Sequence, residues 1–346
     1  MTGARRDIHP DGQQSAGMLR AFCFHLSFAC VAAAATGPAL PTMHWADTSR
    51  GRPFAKDPSV IRHGSRYLMY YSIPPAAQKI PAESWAAGWC VGIAESRDLD
   101  HWSKLGELRP EQECDRRGLC AAGAIVLRGK VHLFYQTYGN GPKDAICHAW
   151  SDDGVTFTRN PTNPVFAPHG AWTAGRAIDA EAVPVGDRLL LYFATRDPAM
   201  KVQMLGVAGA PLDSDFGRER WQQLVAGPIL KPELPWERNC IEAASVVRRG
   251  DTFFMFYAGG YNNEPQQIGV ATSRDGLTWT RLFTEPFLPN GGPGSWNVSE
   301  SGHPGAFVDV DGRTHLFFQG NRDKGRTWYL SRVEVTWRDG QPSLNR

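Results

Sequence analysis

One pattern, repeated five times, constrains this chain more than any other feature. Its copies begin DPSVIRHGSRYLMYYS at Asp57, GAIVLRGKVHLFYQTYG at Gly123, DAEAVPVGDRLLLYFATRD at Asp179, EAASVVRRGDTFFMFYAGG at Glu242 and HPGAFVDVDGRTHLFFQGN at His303. Each has an apolar or β-branched stretch, a turn centred on Gly64, Gly129, Gly186, Gly250 or Gly312, and a second stretch ending in aromatics. That is a β-hairpin signature. A third strand follows in most copies, then a turn such as Asp153-Gly154 or Asp275-Gly276 leading to an aromatic (Phe157, Trp279, and more loosely Trp102). Four antiparallel strands in each of five units cannot bury their faces alone, so they stack radially: the expected fold is all-β, a five-bladed β-propeller. A two-sheet sandwich would leave the near-constant repeat unexplained. The last strands lie in TWYLSRVEVTW, which can complete the fifth blade.

Composition agrees. The 36 Gly, 25 Pro and 38 aromatic residues among 346 favour short strands and tight turns over long helices. A formal charge of +2 leaves no electrostatic footprint for nucleic acid, and no run beyond the N-terminus approaches transmembrane length. A small neutral ligand suits such a surface.

Residues 1–41 read as an extension and 42–346 as one propeller domain. After a polar start, Met18-Leu19-Arg20 opens an apolar run that ends near Gly37-Pro38. This has the layout of a secretory signal starting at Met18 and cleaved between Ala32 and Ala39, so a periplasmic or secreted protein is expected. Cys114 and Cys120 bracket CDRRGLC, suited either to a short disulfide in an oxidising compartment or to two unpaired thiols.

In a propeller the first strand of each blade lines the channel. The strand starts therefore form a ring of Asp57, Gly123, Asp179, Glu242 and His303. Three acids and a histidine there suit glycoside hydrolysis, which needs a proton donor and a facing carboxylate. Asp57 is read as base or nucleophile, Glu242 as proton donor, and Asp179 as the charge that tunes Glu242 and holds substrate. His303 could contact substrate or hold a central Ca2+ or other divalent cation through water; the chemistry itself requires no cofactor. Around the mouth, Tyr71, Arg196, Asn262 and Arg322 are candidate sugar contacts, with Trp172 and Trp296 as stacking faces. Trp102, Phe157 and Trp279 are expected to pack between blades. The segments 74–85, 114–120 and 290–299 are longer than minimal turns, and the last is a candidate rim loop.

These residues resemble the five-bladed propeller glycosidases related to glycoside hydrolase family 43, a superfamily shared with β-fructosidases and neoagarooligosaccharide hydrolases. The resemblance covers about residues 54–332. It implies that Asp57 in KDPSVI is the general base, Asp179 in AIDAEAV the pKa modulator and Glu242 in CIEAASV the general acid, with inversion of configuration. His303 in SGHPGAF resembles a fifth-blade histidine that helps hold a cation in several members. In the neoagarooligosaccharide branch a histidine is the acid, so His303 and Glu242 can share or exchange tasks. Lys56 stands where the fructosidase motif has Asn, and Thr195-Arg196-Asp197-Pro198 imitates the fructosidase triplet at a different point of its blade. The expected activity is exo-acting, inverting hydrolysis of an oligosaccharide. A propeller transferase or phosphorylase, and a non-catalytic carbohydrate-binding propeller, are the alternatives.

Overall fold

The computed structural model describes residues 43–75 and 88–344. The expected signal sequence and most of the 74–85 insert lie outside them. Strand β1 (Met43–Trp45) precedes four regular blades. Blade I is β2 (Lys56–His63), β3 (Arg66–Ile73), β4 (Cys90–Ser96) and β5 (Ser103–Leu108). Blade II is β6 (Leu119–Leu127), β7 (Lys130–Thr137), β8 (Ile146–Ser151) and β9 (Thr158–Arg159). Blade III is β10 (Ile178–Val185), β11 (Arg188–Arg196), β12 (Gln203–Pro211) and β13 (Gln222–Gln223). Blade IV is β14 (Ile241–Arg249), β15 (Thr252–Gly259), β16 (Gln267–Ser273) and β17 (Thr280–Arg281). Blade V holds β18 (Glu300–Val308), β19 (Thr314–Asn321) and β20 (Tyr329–Arg338). Its outer edge is made twice: β1 pairs with Leu330–Arg332, and β21 (Gln341–Leu344) pairs with Val335–Arg338. Hydrogen bonds between the two ends of the described chain thus close the ring and cover what would be an open sheet edge.

Blades pack through the aromatics expected between them. Tyr70 of blade I meets Phe157 of blade II edge-on, and its hydroxyl donates to the Gly154 carbonyl; Tyr192 of blade III does the same to Trp279 and Gly276 of blade IV. Trp102 of blade I packs on Phe317 of blade V. The inner strands come close at the hub, where a Cβ on Gly123 would lie 2.1 Å from the Ala180 carbonyl oxygen and one on Gly305 2.2 Å from that of Pro58.

Every inner strand carries a β-bulge near its start, between Lys56 and Ser59, Cys120 and Gly123, Ile178 and Glu181, Glu242 and Ser245, and Gly302 and Gly305. The residue that enters each bulge is left-handed: Asp57 (φ 54°), Ala121 (45°), Asp179 (53°), Ala243 (52°) and His303 (44°). That conformation costs a non-glycine residue roughly 1–2 kcal/mol, and bulges of this kind re-aim side chains beside active sites. Four of the five are braced by the preceding blade. The backbone N–H of Asp57 donates to Gln319 Oε1 (2.9 Å), Ala121 to Ser72 Oγ (2.8 Å), Asp179 to Gln136 Oε1 (2.8 Å) and His303 to Gln266 Oε1 (3.1 Å).

The bulges alter the expected hub register. Asp57, Asp179 and His303 are equivalent, but their counterparts are Ala121, two residues before Gly123, and Ala243, one residue after Glu242. Glu242 shares the position of Lys56, Cys120, Ile178 and Gly302, the last residue paired before the bulge. The sequence carries no mark of the added residue.

Candidate active site

A cavity of about 170 Å³ opens at the hub between the ends of the inner strands, and Asp57, Asp179, Glu242 and His303 all line it. His303 stands between two carboxylates: Nδ1 is 3.0 Å from Asp57 Oδ1 and Nε2 is 3.3 Å from Glu242 Oε1. Glu242 accepts from Gln266 Nε2 at Oε1 (2.7 Å) and from Gln203 Nε2 at Oε2. Gln203 is held in turn by Arg196 Nε (2.9 Å). Lys56 Nζ lies 3.9 Å from Asp57 Oδ1. Asp179 Oδ2 is buried without a hydrogen-bond donor among the described residues, while Asp57 Oδ1 is engaged through its ion pair with His303.

Burial and charge divide the protons unevenly. Burial pushes the His303 imidazolium toward neutrality, but Asp57, Asp179 and Glu242 outweigh it and hold its pKa up to about 10. Burial pushes the Glu242 carboxyl up; the hydrogen bond and charge of His303, the Gln266 amide and Lys56 outweigh that and bring it down to about 2. Asp179 moves the other way, up to about 7, through burial reinforced by Glu242 and Asp57 against the pull of His303. Near neutral pH His303 is therefore charged beside an ionised Glu242, while Asp179 is partly protonated.

Asp179, Glu242 and His303 also bring one ligand atom each within 4.8 Å of the others, a spacing a divalent ion could span. Each His303 ring nitrogen already faces a carboxylate oxygen, so a direct bond from the imidazole to an ion would displace one of these contacts, whereas an ion held through water would not.

Of the sequence-predicted mouth residues, Arg196 and Asn262 line the cavity. Tyr71 does not: it is fully buried in blade I, where its hydroxyl donates to Asp47 Oδ2 (2.8 Å). The same strand position carries Tyr135, bonded to Asp115 (3.3 Å), and Tyr257, bonded to Glu237 (2.8 Å). A basic residue pairs with each acid, Lys104, Arg159 or Arg281, so this aromatic is a recurring blade fastener. Trp172 packs against Phe193 above Gly206, and Trp296 against Phe318 above Gly320. Arg322 is exposed and lies outside the cavity lining.

Cys114 does not face Cys120. Its sulfur is 3.8 Å from Cys147 in blade II, both as free thiols, while Cys120 at the start of β6 turns into the cavity. The residues that sequence reasoning passed over are Lys56, Trp89, Arg176 and the bracing glutamines Gln136, Gln203 and Gln266. Lys56 and Arg176 had a signal, each lying within three residues of a hub acid.

A five-bladed propeller with convergent acids at its hub defines the class of carbohydrate-cleaving propeller enzymes. The sequence matches the family model of the glycosyl hydrolases family 43 over residues 51–342, and the chain belongs to that family; it is a glycosidase. In fold it is similar to a thermostable family-43 glycoside hydrolase, with a TM-score of 0.67 and 19% identity over 87% of this chain and 96% of that one. It is also similar to the α-L-arabinofuranosidase from Lactobacillus brevis, with a TM-score of 0.61 and 16% identity over 84% and 94%. Among curated proteins, a β-1,2-mannobiose phosphorylase of Thermoanaerobacter sp. (strain X514) is 28% identical over 136 residues. That match spans 35% of this chain and 43% of the phosphorylase.

Proposed function

We propose that this glycosidase removes single terminal sugars from an oligosaccharide with inversion, Asp57 acting as base and Glu242 as proton donor. The observation that carries this reading is His303, in contact with Asp57 through one ring nitrogen and with Glu242 through the other. A base that takes a proton from water and an acid that gives one to the leaving oxygen end each turnover one proton out of place. His303 lies on the line of return. Its proton loads Glu242 when substrate displaces water and the ionised pair loses solvation; after bond cleavage, the proton taken up by Asp57 restores His303. Asp179 keeps the imidazolium charged between turnovers.

The small size of the hub cavity supports exo action, because it suits a chain end placed at the acids. The test is the product pattern from oligosaccharides of increasing length: stepwise loss of one terminal residue is expected, and random internal cuts would defeat the exo assignment. Export through the stretch from Met18 to Ala39 remains part of the proposal on sequence grounds.

A second reading, phosphorolysis, is favoured by the partial match to a phosphorylase together with Lys56, Arg176 and Arg196 in the cavity. Parallel incubations with and without inorganic phosphate separate the two. Release of a sugar phosphate in place of free sugar would select phosphorolysis.

A further inference from the structure

Beside the acids, the cavity holds positive charge. Lys56, Arg176 and Arg196 all line it. Lys56 Nζ sits over the Trp328 ring (4.7 Å from the centroid), and its carboxylate neighbour Asp57 is at 3.9 Å, beyond hydrogen-bond reach. Arg176, two residues before β10, has its Nε buried without a hydrogen-bond acceptor among the described residues and pairs loosely with the Asp144 carboxylate at 3.6 Å. Asp144 is itself engaged by the Asn140 N–H and the Thr137 hydroxyl. Arg196 spends its Nε on the neutral Gln203 amide and lays its guanidinium on Tyr261, 5.0 Å from the ring centroid. Among the described residues, none of the three cations has a carboxylate oxygen within hydrogen-bond distance.

Such an arrangement is costly unless something is bound there. A buried guanidinium nitrogen without an acceptor forfeits hydration, and three cations in one cavity oppose one another. The acids nearby offset this charge only in part: Asp57 lies 3.9 Å from Lys56 and Asp144 3.6 Å from Arg176, and both Asp57 and Glu242 also face His303. Tyr138, just after β7, lies in the same lining as Lys56 and Arg176. Guanidinium forks match the paired oxygens of an oxyanion.

We propose that Lys56, Arg176 and Arg196 form an oxyanion subsite beside the reacting bond, filled either by the carboxylate of an acidic terminal sugar, a hexuronate, or by free inorganic phosphate. This rests on the hydrolase reading only for where the sugar ring lies.

The test is equilibrium binding by calorimetry on the intact protein, which requires no turnover. The probes are D-glucuronate and D-galacturonate, their neutral counterparts D-glucose and D-galactose, and inorganic phosphate. The expected result is that at least one uronate binds about tenfold or more tightly than its neutral counterpart, the scale of one charge-assisted contact. Arg176→Gln should erase that advantage while neutral-sugar binding persists, and Arg176→Lys should restore part of it. Phosphate binding that Arg176→Gln abolishes, with uronates no better than neutral sugars, would uphold the subsite and give it to phosphate. Uronates and phosphate both binding no better than neutral sugars in the unaltered protein would overturn the proposal, even if the Arg176 variants fail to fold. An inactive protein that still prefers uronate would sink the hydrolase reading alone.

Discussion

His303 Nδ1 lies 3.0 Å from Asp57 Oδ1, although 246 positions separate the two residues in the chain. Both occupy the left-handed residue of an equivalent bulge, in blades that adjoin where the propeller closes. The contact therefore depends on ring closure through β1 as much as on the residues themselves.

Replacing Glu242 by Gln removes proton donation while keeping the side chain's shape and an acceptor for Gln266. Turnover of natural substrates should fall by about 10²–10⁴-fold, and substrates with good leaving groups should suffer least. Steady-state kinetics across a leaving-group series reads this. Equal damage to both kinds of substrate would remove Glu242 from the acid role.

Asp57→Asn should abolish turnover whatever the leaving group, because water still needs its base. Retained activity on activated substrates at more than a few per cent of the original would place the base elsewhere.

Asp179 helps hold the His303 proton, so Asp179→Asn should move the alkaline limb of kcat/KM to lower pH. The sign follows from charge: removing a neighbouring anion lowers the affinity of the imidazole for its proton. An unmoved alkaline limb would show that Asp179 does not act through His303.

Stability should follow the same cluster. His303, raised from 6.5 to about 10, contributes fully below pH 6.5 and loses its contribution as pH rises through 10. Glu242, lowered from 4.5 to about 2, contributes fully above pH 4.5 and loses its contribution as pH falls through 2. Asp179 is raised from 3.8 to about 7, so its burial costs stability progressively as pH climbs between those values. His303→Asn should flatten the alkaline decline in denaturant midpoint; a decline as steep as in the unaltered protein would assign it to other groups.

Gly123 leaves no room for a side chain. Gly123→Ala should destabilise the fold by about 1–3 kcal/mol, because its Cβ would meet the Ala180 carbonyl at 2.1 Å. Chemical denaturation measures this, and an unchanged midpoint would show that the inner strands can move apart without cost.

The architecture was legible because each blade repeats a hairpin whose turn needs a glycine and whose second strand ends in aromatics. Asp57, Asp179 and His303 could be read from it as strand starts. The one-residue offset of Glu242 could not, since a bulge is a backbone event with no fixed residue code. Tyr71 looked like a mouth residue because it ends an aromatic run, yet strand alternation turns it inward to Asp47. Trp172 and Trp296 were ambiguous for want of their partners, the glycines 206 and 320, which lie far along the chain and open the space they fill. The closing strand β1 is only Met43–Trp45, too short for any periodicity to announce.

The most direct test of the central claim is proton NMR of the newborn anomeric signal, with neutral and uronate-ended oligosaccharides incubated with the purified protein. The account predicts that the first product signal belongs to the anomer opposite to the bond cleaved, and that the signal disappears in Asp57→Asn. A first signal of retained configuration would contradict it, because Asp57 would then be a nucleophile and the proton return through His303 would have no part in the step.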